Sequence, residues 1–139
     1  MKVLVSACLM GKNCKYNGGN NFSREVAEFL KDKEVVEICP EVLAGFSVPR
    51  TPMEIVDGVL INRDGINVDA PVRAAVAHIL EEIKDQQIEC AILKSRSPTC
   101  GVRQVYDGTF SARLISGTGT LAQALLDAGY IVLDNEELP

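Results

Sequence analysis

Three short, continuous apolar runs are spaced along the chain with amphipathic stretches between them. Val3, Leu4 and Val5 predict a buried strand over Lys2–Ser6. Glu34–Ile38 predicts a second strand, stopped by Cys39-Pro40, and Glu89–Leu93 a third. Between the first two, Asn21 and Ser23 offer N-caps for a helix starting near Arg24, with Val26, Ala27, Phe29 and Leu30 on its apolar stripe. Val72, Ala75, Val76, Ile79, Leu80 and Ile83 recur at helical spacing, so a long helix is expected from an Asp69 cap to Lys84, with Pro71 in its first turn. Leu121, Ala124, Leu125 and Leu126 mark a last helix over Gly119–Ala128. Gly129 is placed to end it, and Tyr130–Leu133 reads as the final strand.

Turn signals fill the remaining stretches. Asp57-Gly58 and Asp64-Gly65 punctuate β-prone residues after Met53 and predict a small ribbon. Asp107-Gly108 predicts another turn-and-strand excursion over Tyr106–Leu114. Strands alternating with helices argue for an α/β fold: three layers, a mostly parallel sheet with helices on both faces (Rossmann-like), and a β-ribbon excursion. With 139 residues and no repeat or low-complexity linker, residues 1–139 read as one domain.

Composition narrows the functions. A net charge of −5 without a basic run argues against capture of nucleic acid or an anionic membrane. No apolar run approaches the ~20 residues of a membrane span. The apolar start is broken early by Gly11, Lys12 and Asn13, so it reads as a strand rather than a signal peptide, and the cytoplasm is the expected location. The oligomeric state is left open.

Five cysteines, an odd number, disfavour a disulfide framework in a reducing compartment. Cys90 opens the apolar stretch CAIL and reads as core, whereas Cys14 reads either as a fourth thiol near a site or as a surface residue. Cys8 follows the first strand, Cys39 ends the second, and Cys100 follows the third after a short loop. If those strands are parallel neighbours, all three thiols emerge at one sheet edge, where open α/β sheets bind ligands. Four thiolates would suit structural zinc, while three would leave an iron–sulfur cluster with one open iron. His78 lies beside an apolar stripe and reads as helix surface rather than a ligand.

Three blocks, VSACLMGKNCKYNG, CPEVLAGFSVPRTPMEI and LKSRSPTCGVRQVYDGTF, together resemble the signature of the family long called domain of unknown function 523, whose characterised relatives are 2-thiouracil desulfidases. The resemblance covers essentially the whole chain. It implies a [4Fe-4S] cluster held by Cys8, Cys39 and Cys100, whose open iron takes sulfur from a thionated small molecule such as a thiouracil-like base. Water replaces the sulfur without redox change. Two departures bear on the substrate: Lys15-Tyr16-Asn17 stands where Arg-Tyr-Asp is usual, and Cys14 is present.

Around such a site, Glu41 is a candidate proton shuttle, Lys94 a candidate stabiliser of negative charge, and Ser97 a candidate catalytic hydroxyl. Ser6, Ser95 and Arg50 are candidate substrate contacts. Gly101 would permit close backbone approach to a bulky cluster, and Ser116-Gly117-Thr118-Gly119 would either hold an anion or cap a helix. The competing readings are a zinc-binding or sensing domain, and a thiol redox protein using Cys8 and Cys14.

Overall fold

A computed structural model describes residues 1–139. Eight strands and four helices follow in chain order: β1 Lys2–Ser6, α1 Arg24–Phe29, β2 Glu34–Ile38, α2 Pro40–Leu43, β3 Met53–Val56, β4 Val59–Asn62, α3 Asp69–Ile83, β5 Ile88–Leu93, β6 Gln104–Tyr106, β7 Leu114–Ser116, α4 Thr120–Asp127 and β8 Val132–Asp134. A single 3-10 turn, Ala7–Met10, follows β1.

The central sheet is parallel throughout, in the order β2-β1-β5-β8. Its two inner strands, β1 and β5, carry the most deeply buried residues, as expected where both faces are covered. Val3, Val5, Cys90 and Ile92 pack with Val26 and Leu30 on one face. Leu4, Ala91 and Leu93 pack with Val72, Val76, Ile79, Leu121 and Leu125 on the other. The chain steps one way from β1 to β2 and then the opposite way to β5 and β8. With a constant crossover hand, α1 must cover one face while α3 and α4 cover the other. Cys90 is core, as expected.

The small ribbons are antiparallel hairpins. β3 and β4 turn at Asp57-Gly58, where both residues have positive φ as a tight turn requires. β6 and β7 bracket the expected Tyr106–Leu114 excursion, with those two residues paired across the hairpin.

Helix ends follow local chemistry, with one correction. The Ser23 side chain accepts from the Val26 N–H and caps α1. Gly129, at φ 89°, closes α4: its N–H reaches the Leu126 carbonyl and that of Tyr130 the Leu125 carbonyl, a Schellman arrangement. Asp69 does not cap α3 but is its first helical residue. Its carboxylate instead accepts from the Leu60 N–H at 3.0 Å and the Arg73 Nε at 2.6 Å, tying the ribbon to the helix.

The N-terminus of α4 bears directly on Cys100. The N–H groups of Leu121 and Ala122 point at the Thr99 carbonyl, at 2.8 and 3.2 Å, and that of Thr120 at the Pro98 carbonyl. Gly119 is the N-cap and no side chain caps this helix; the orphan donors grip the cysteine loop itself. Gly119 makes this possible, because a Cβ there would lie 2.5 Å from the Thr99 carbonyl carbon and 2.8 Å from the Cys100 nitrogen. Gly119→Ala is therefore expected to destabilise the fold by about 1–3 kcal/mol, as overpacking does. Urea denaturation measures it, and an unchanged midpoint would show that the loop shifts freely.

Candidate functional site

Because β2, β1 and β5 are adjacent and parallel, their carboxyl ends open at one edge. Loops from β1 and β5 leave toward opposite faces there, which is where α/β folds make a crevice. A hollow of about 620 Å³ occupies this edge. Cys8, Cys14, Cys39 and Cys100 all line it. No three His, Cys, Asp or Glu side chains close on a single point as the ligands of one ion would; the thiols ring the hollow instead. His78 is far more exposed and faces Glu82 along α3.

Each thiol is fixed by its own element. Cys8 sits in the 3-10 turn, and its carbonyl accepts from the Gly11 and Asn21 N–H groups, folding the long loop back over it. Cys39 immediately precedes α2, with Pro40 at the first helical position. This helical turn was not expected from the sequence, where Cys39-Pro40 reads as a strand stop followed by loop. Cys100 lies in the tight turn 97–101, where the Ser97 Oγ accepts from the N–H groups of Thr99 and Cys100 at 3.2 and 3.0 Å.

A buried polar network joins the three loops. The Arg50 Nε donates to Glu41 at 3.0 Å and Nη2 to the Cys14 carbonyl at 2.8 Å. The Arg50 N–H reaches the Tyr16 carbonyl. The other Glu41 oxygen accepts from the Thr99 hydroxyl at 3.2 Å. One ion pair, with side chains only 7% and 12% exposed, thus connects the first, second and third cysteine segments. The guanidinium is thus held by protein partners at the wall of the hollow.

Lys94 and the serines form a second group at the crevice. The Ser6 Oγ accepts from the Lys94 N–H at 3.0 Å, bridging β1 and β5. The Lys94 ammonium donates to the Ser95 carbonyl and hydroxyl at 2.8 and 3.2 Å. Ser95 is held in turn by Asn135, which accepts from its N–H at 2.8 Å.

Burial favours the neutral form of the Cys8, Cys14 and Cys100 thiols. Burial pushes the Cys100 thiol up to about 12, against hydrogen bonds from Ser6 and Thr99 and with further elevation from Cys8 and Cys39. Burial likewise raises Cys8, countered by Asn21 and Lys94. Cys14 rises to about 12 through burial and then the neighbouring Cys39. Burial lowers Lys94, with Arg96 adding to it and Cys8 opposing it. Grouped, buried thiols that repel one another's charge are the donor set a soft cationic iron centre relieves. The site fits such a group.

The outer wall is aromatic and cationic. Arg63 stands over the Phe110 ring at 5.9 Å and Lys15 over Tyr16 at 5.9 Å. Glu54 accepts from the N–H groups of Gly108 and Phe110, which anchors the rim loop to β3. Phe110 and Ala112 both have positive φ, so this loop is held in a demanding conformation.

All nine residues expected from sequence, Cys8, Cys39, Cys100, Glu41, Lys94, Ser97, Ser6, Arg50 and Ser95, line this one hollow. Sequence reasoning missed Thr99, an ordinary-looking loop residue that is 1% exposed and connects Glu41 to the Cys100 segment. It also read Asn21 only as a helix cap, whereas its backbone N–H bonds the Cys8 carbonyl at 3.0 Å and it lines the hollow. The crowding at Gly101 comes from the Ser97 and Gln104 carbonyls, each 2.7 Å from a Cβ placed there, so the glycine serves the turn itself.

A parallel sheet whose edge carries a ring of thiols, a lysine and a paired glutamate around one hollow defines an open α/β protein with a thiol-lined chamber. Comparison with known proteins narrows the class. The sequence model of the 2-thiouracil desulfurase family matches residues 3–137, and the chain belongs to that family. An uncharacterized protein of Bacillus subtilis (strain 168), YbbK, is 37% identical over 98% of this chain and 97% of its own length. The solved structure of the [4Fe-4S]-dependent thiouracil desulfidase TudS superposes with a TM-score of 0.92 at 30% identity, covering 99% of this chain and 93% of that one. The parallel sheet with flanking helices expected from sequence is thus also the fold of a solved relative.

Arg50→Met leaves the Glu41 carboxylate buried without its partner. The expected cost is about 3 kcal/mol, the low end for breaking a buried pair because both groups retain slight exposure. Chemical denaturation reads it, and a loss below roughly 1 kcal/mol, the surface-pair value, would contradict the tethering role.

Proposed function

We propose that this protein removes sulfur from a thionated small heterocycle, of the thiouracil kind, at a [4Fe-4S] cluster held by Cys8, Cys39 and Cys100. The observation that carries the reading is the meeting of three thiols from three distant segments around one chamber. Membership of a desulfurase family and the likeness to a cluster-dependent desulfidase support it. When bound, the cluster supplies an iron without a protein ligand, a Lewis acid for the substrate sulfur.

The protein's own residues do the rest. Phe110 and Tyr106 offer ring faces to a planar base, and Arg63 and Lys15 offer donors to its oxygens. Lys94, with no carboxylate on its ammonium, stabilises negative charge on the departing sulfur. Glu41, oriented by Arg50 and Thr99, takes a proton from the attacking water. Ser97 holds the turn that presents Cys100, while Ser6 and Ser95 set the position of Lys94 and contribute hydroxyls to the chamber floor. The balance is hydrolytic: the C=S carbon gains the water oxygen and sulfur leaves as hydrogen sulfide, with no net electron transfer. The substrate reaches a protein in which no helix is long and apolar enough to cross a membrane.

Anaerobically purified protein is expected to be brown and to release sulfide from 2-thiouracil. Cys39→Ser removes both colour and turnover. Lys94→Met keeps the colour but lowers kcat by about 10²–10³, the usual effect of losing one charge-stabilising donor. Fully loaded wild-type protein that leaves a panel of thionated pyrimidines intact, or an active Cys39→Ser variant, would defeat the proposal.

A further inference from the structure

One thiol in the hollow is not used by the three-cysteine assignment. Cys14 is half-buried and lines the same chamber as the Cys39 thiol. The Cys39 Sγ in turn donates to the Cys14 carbonyl at 3.9 Å. This approach is held in place, because the Cys14 carbonyl also accepts from the Arg50 Nη2 at 2.8 Å and the next turn is fixed by Arg50 N–H to Tyr16 at 2.7 Å. Cys100, by contrast, is 4% exposed and packed under Thr99, and Cys90 lies in the opposite core.

We infer that Cys14 is a redox modification site: in the cluster-free protein it closes a disulfide onto Cys39 when a peroxide-class oxidant is present. The Cys39 thiol, giving up its proton as it attacks, breaks the peroxide O–O bond, and a sulfenic acid and water result. The second thiol then attacks the sulfenic sulfur and expels a second water. In sum, two thiols and one hydrogen peroxide give one disulfide and two waters. A dithiol reductant reverses the step by exchange, leaving both cysteines reduced and itself cyclised. The bridge keeps Cys39 off the irreversible sulfinic rung and withholds it from iron until reducing conditions return. This consequence rests on Cys39 being a cluster ligand, as proposed above; the bridge itself does not.

The test uses the full chain, stripped of its cluster anaerobically by chelation and treated with hydrogen peroxide. Free thiols are then alkylated and the protein digested without reductant. A peptide joining Cys14 to Cys39 is expected, with Cys8, Cys90 and Cys100 alkylated. Iron and sulfide should rebuild no cluster before dithiothreitol and the full cluster after it. The Cys14→Ser variant should load its cluster like wild type when never oxidised. After peroxide, it should carry Cys39 as sulfinic acid and fail to reload even with dithiothreitol. Cys14 recovered alkylated, a bridge from Cys14 to Cys8 instead, or a Cys14→Ser protein that reloads after peroxide as well as wild type would overturn the inference. A Cys14–Cys39 bridge in a protein that takes up no cluster under any condition would leave this inference standing and remove the function proposed above.

Discussion

Parallel pairing of β1 with both β2 and β5 is the constraint from which the site follows. Lys2–Ser6 is in register with Glu34–Ile38 on one side, and Val3–Val5 with Cys90–Ile92 on the other. The pairing turns three cysteines far apart in sequence into residues of one edge. It holds because β1 and β5 bury both faces, so slipping by one residue would exchange the two packed cores. The reversal of strand order at β1 and β5, with β2 added on one side and β5 and β8 on the other, then opens the crevice that the thiols surround.

Pairing alone would leave the thiols on loose loops. Fixing them falls to polar contacts of unusual economy. Arg50 and Glu41 take their charges largely out of water, which is costly unless each is well matched. The match is made by the Cys14 carbonyl and the Thr99 hydroxyl, one in the first cysteine segment and one in the third. The α4 N-terminus adds its own donors at Thr99. A buried ion pair is weak evidence of stability, but here it sets geometry by tying together the three loops that rim the chamber.

Much of this could be read from the sequence, for a physical reason. Strands covered on both faces leave apolar runs, and helices covered on one face leave a helical period, so the element order and the parallel sheet were legible. The shared edge of Cys8, Cys39 and Cys100 follows from that order without any local motif. What escaped was tertiary pairing. Nothing in the nine-residue separation of Glu41 and Arg50 signals that they meet, and Arg50 reads as a free substrate contact until Glu41 is seen against it. Asp69 and Asn21 are residue types favoured at helix starts, yet Asp69 uses its side chain, and Asn21 its backbone N–H, on a partner brought by the fold. The turn of helix at Pro40–Leu43 is too short for any period to reveal. Ser116–Gly119 offered the ambiguity of anion or cap; Gly119 is the N-cap residue, and the partner of the helix donors, the Thr99 carbonyl, is set by the fold rather than by the run itself.

Iron anomalous scattering from crystals grown and frozen without oxygen tests the central claim most directly. The account predicts a compact group of iron peaks inside the chamber, with continuous density to the sulfurs of Cys8, Cys39 and Cys100 and one iron lacking a protein sulfur. Peaks placed elsewhere, a single ion drawn to other donors, or any of those three thiols turned away from the iron would contradict it.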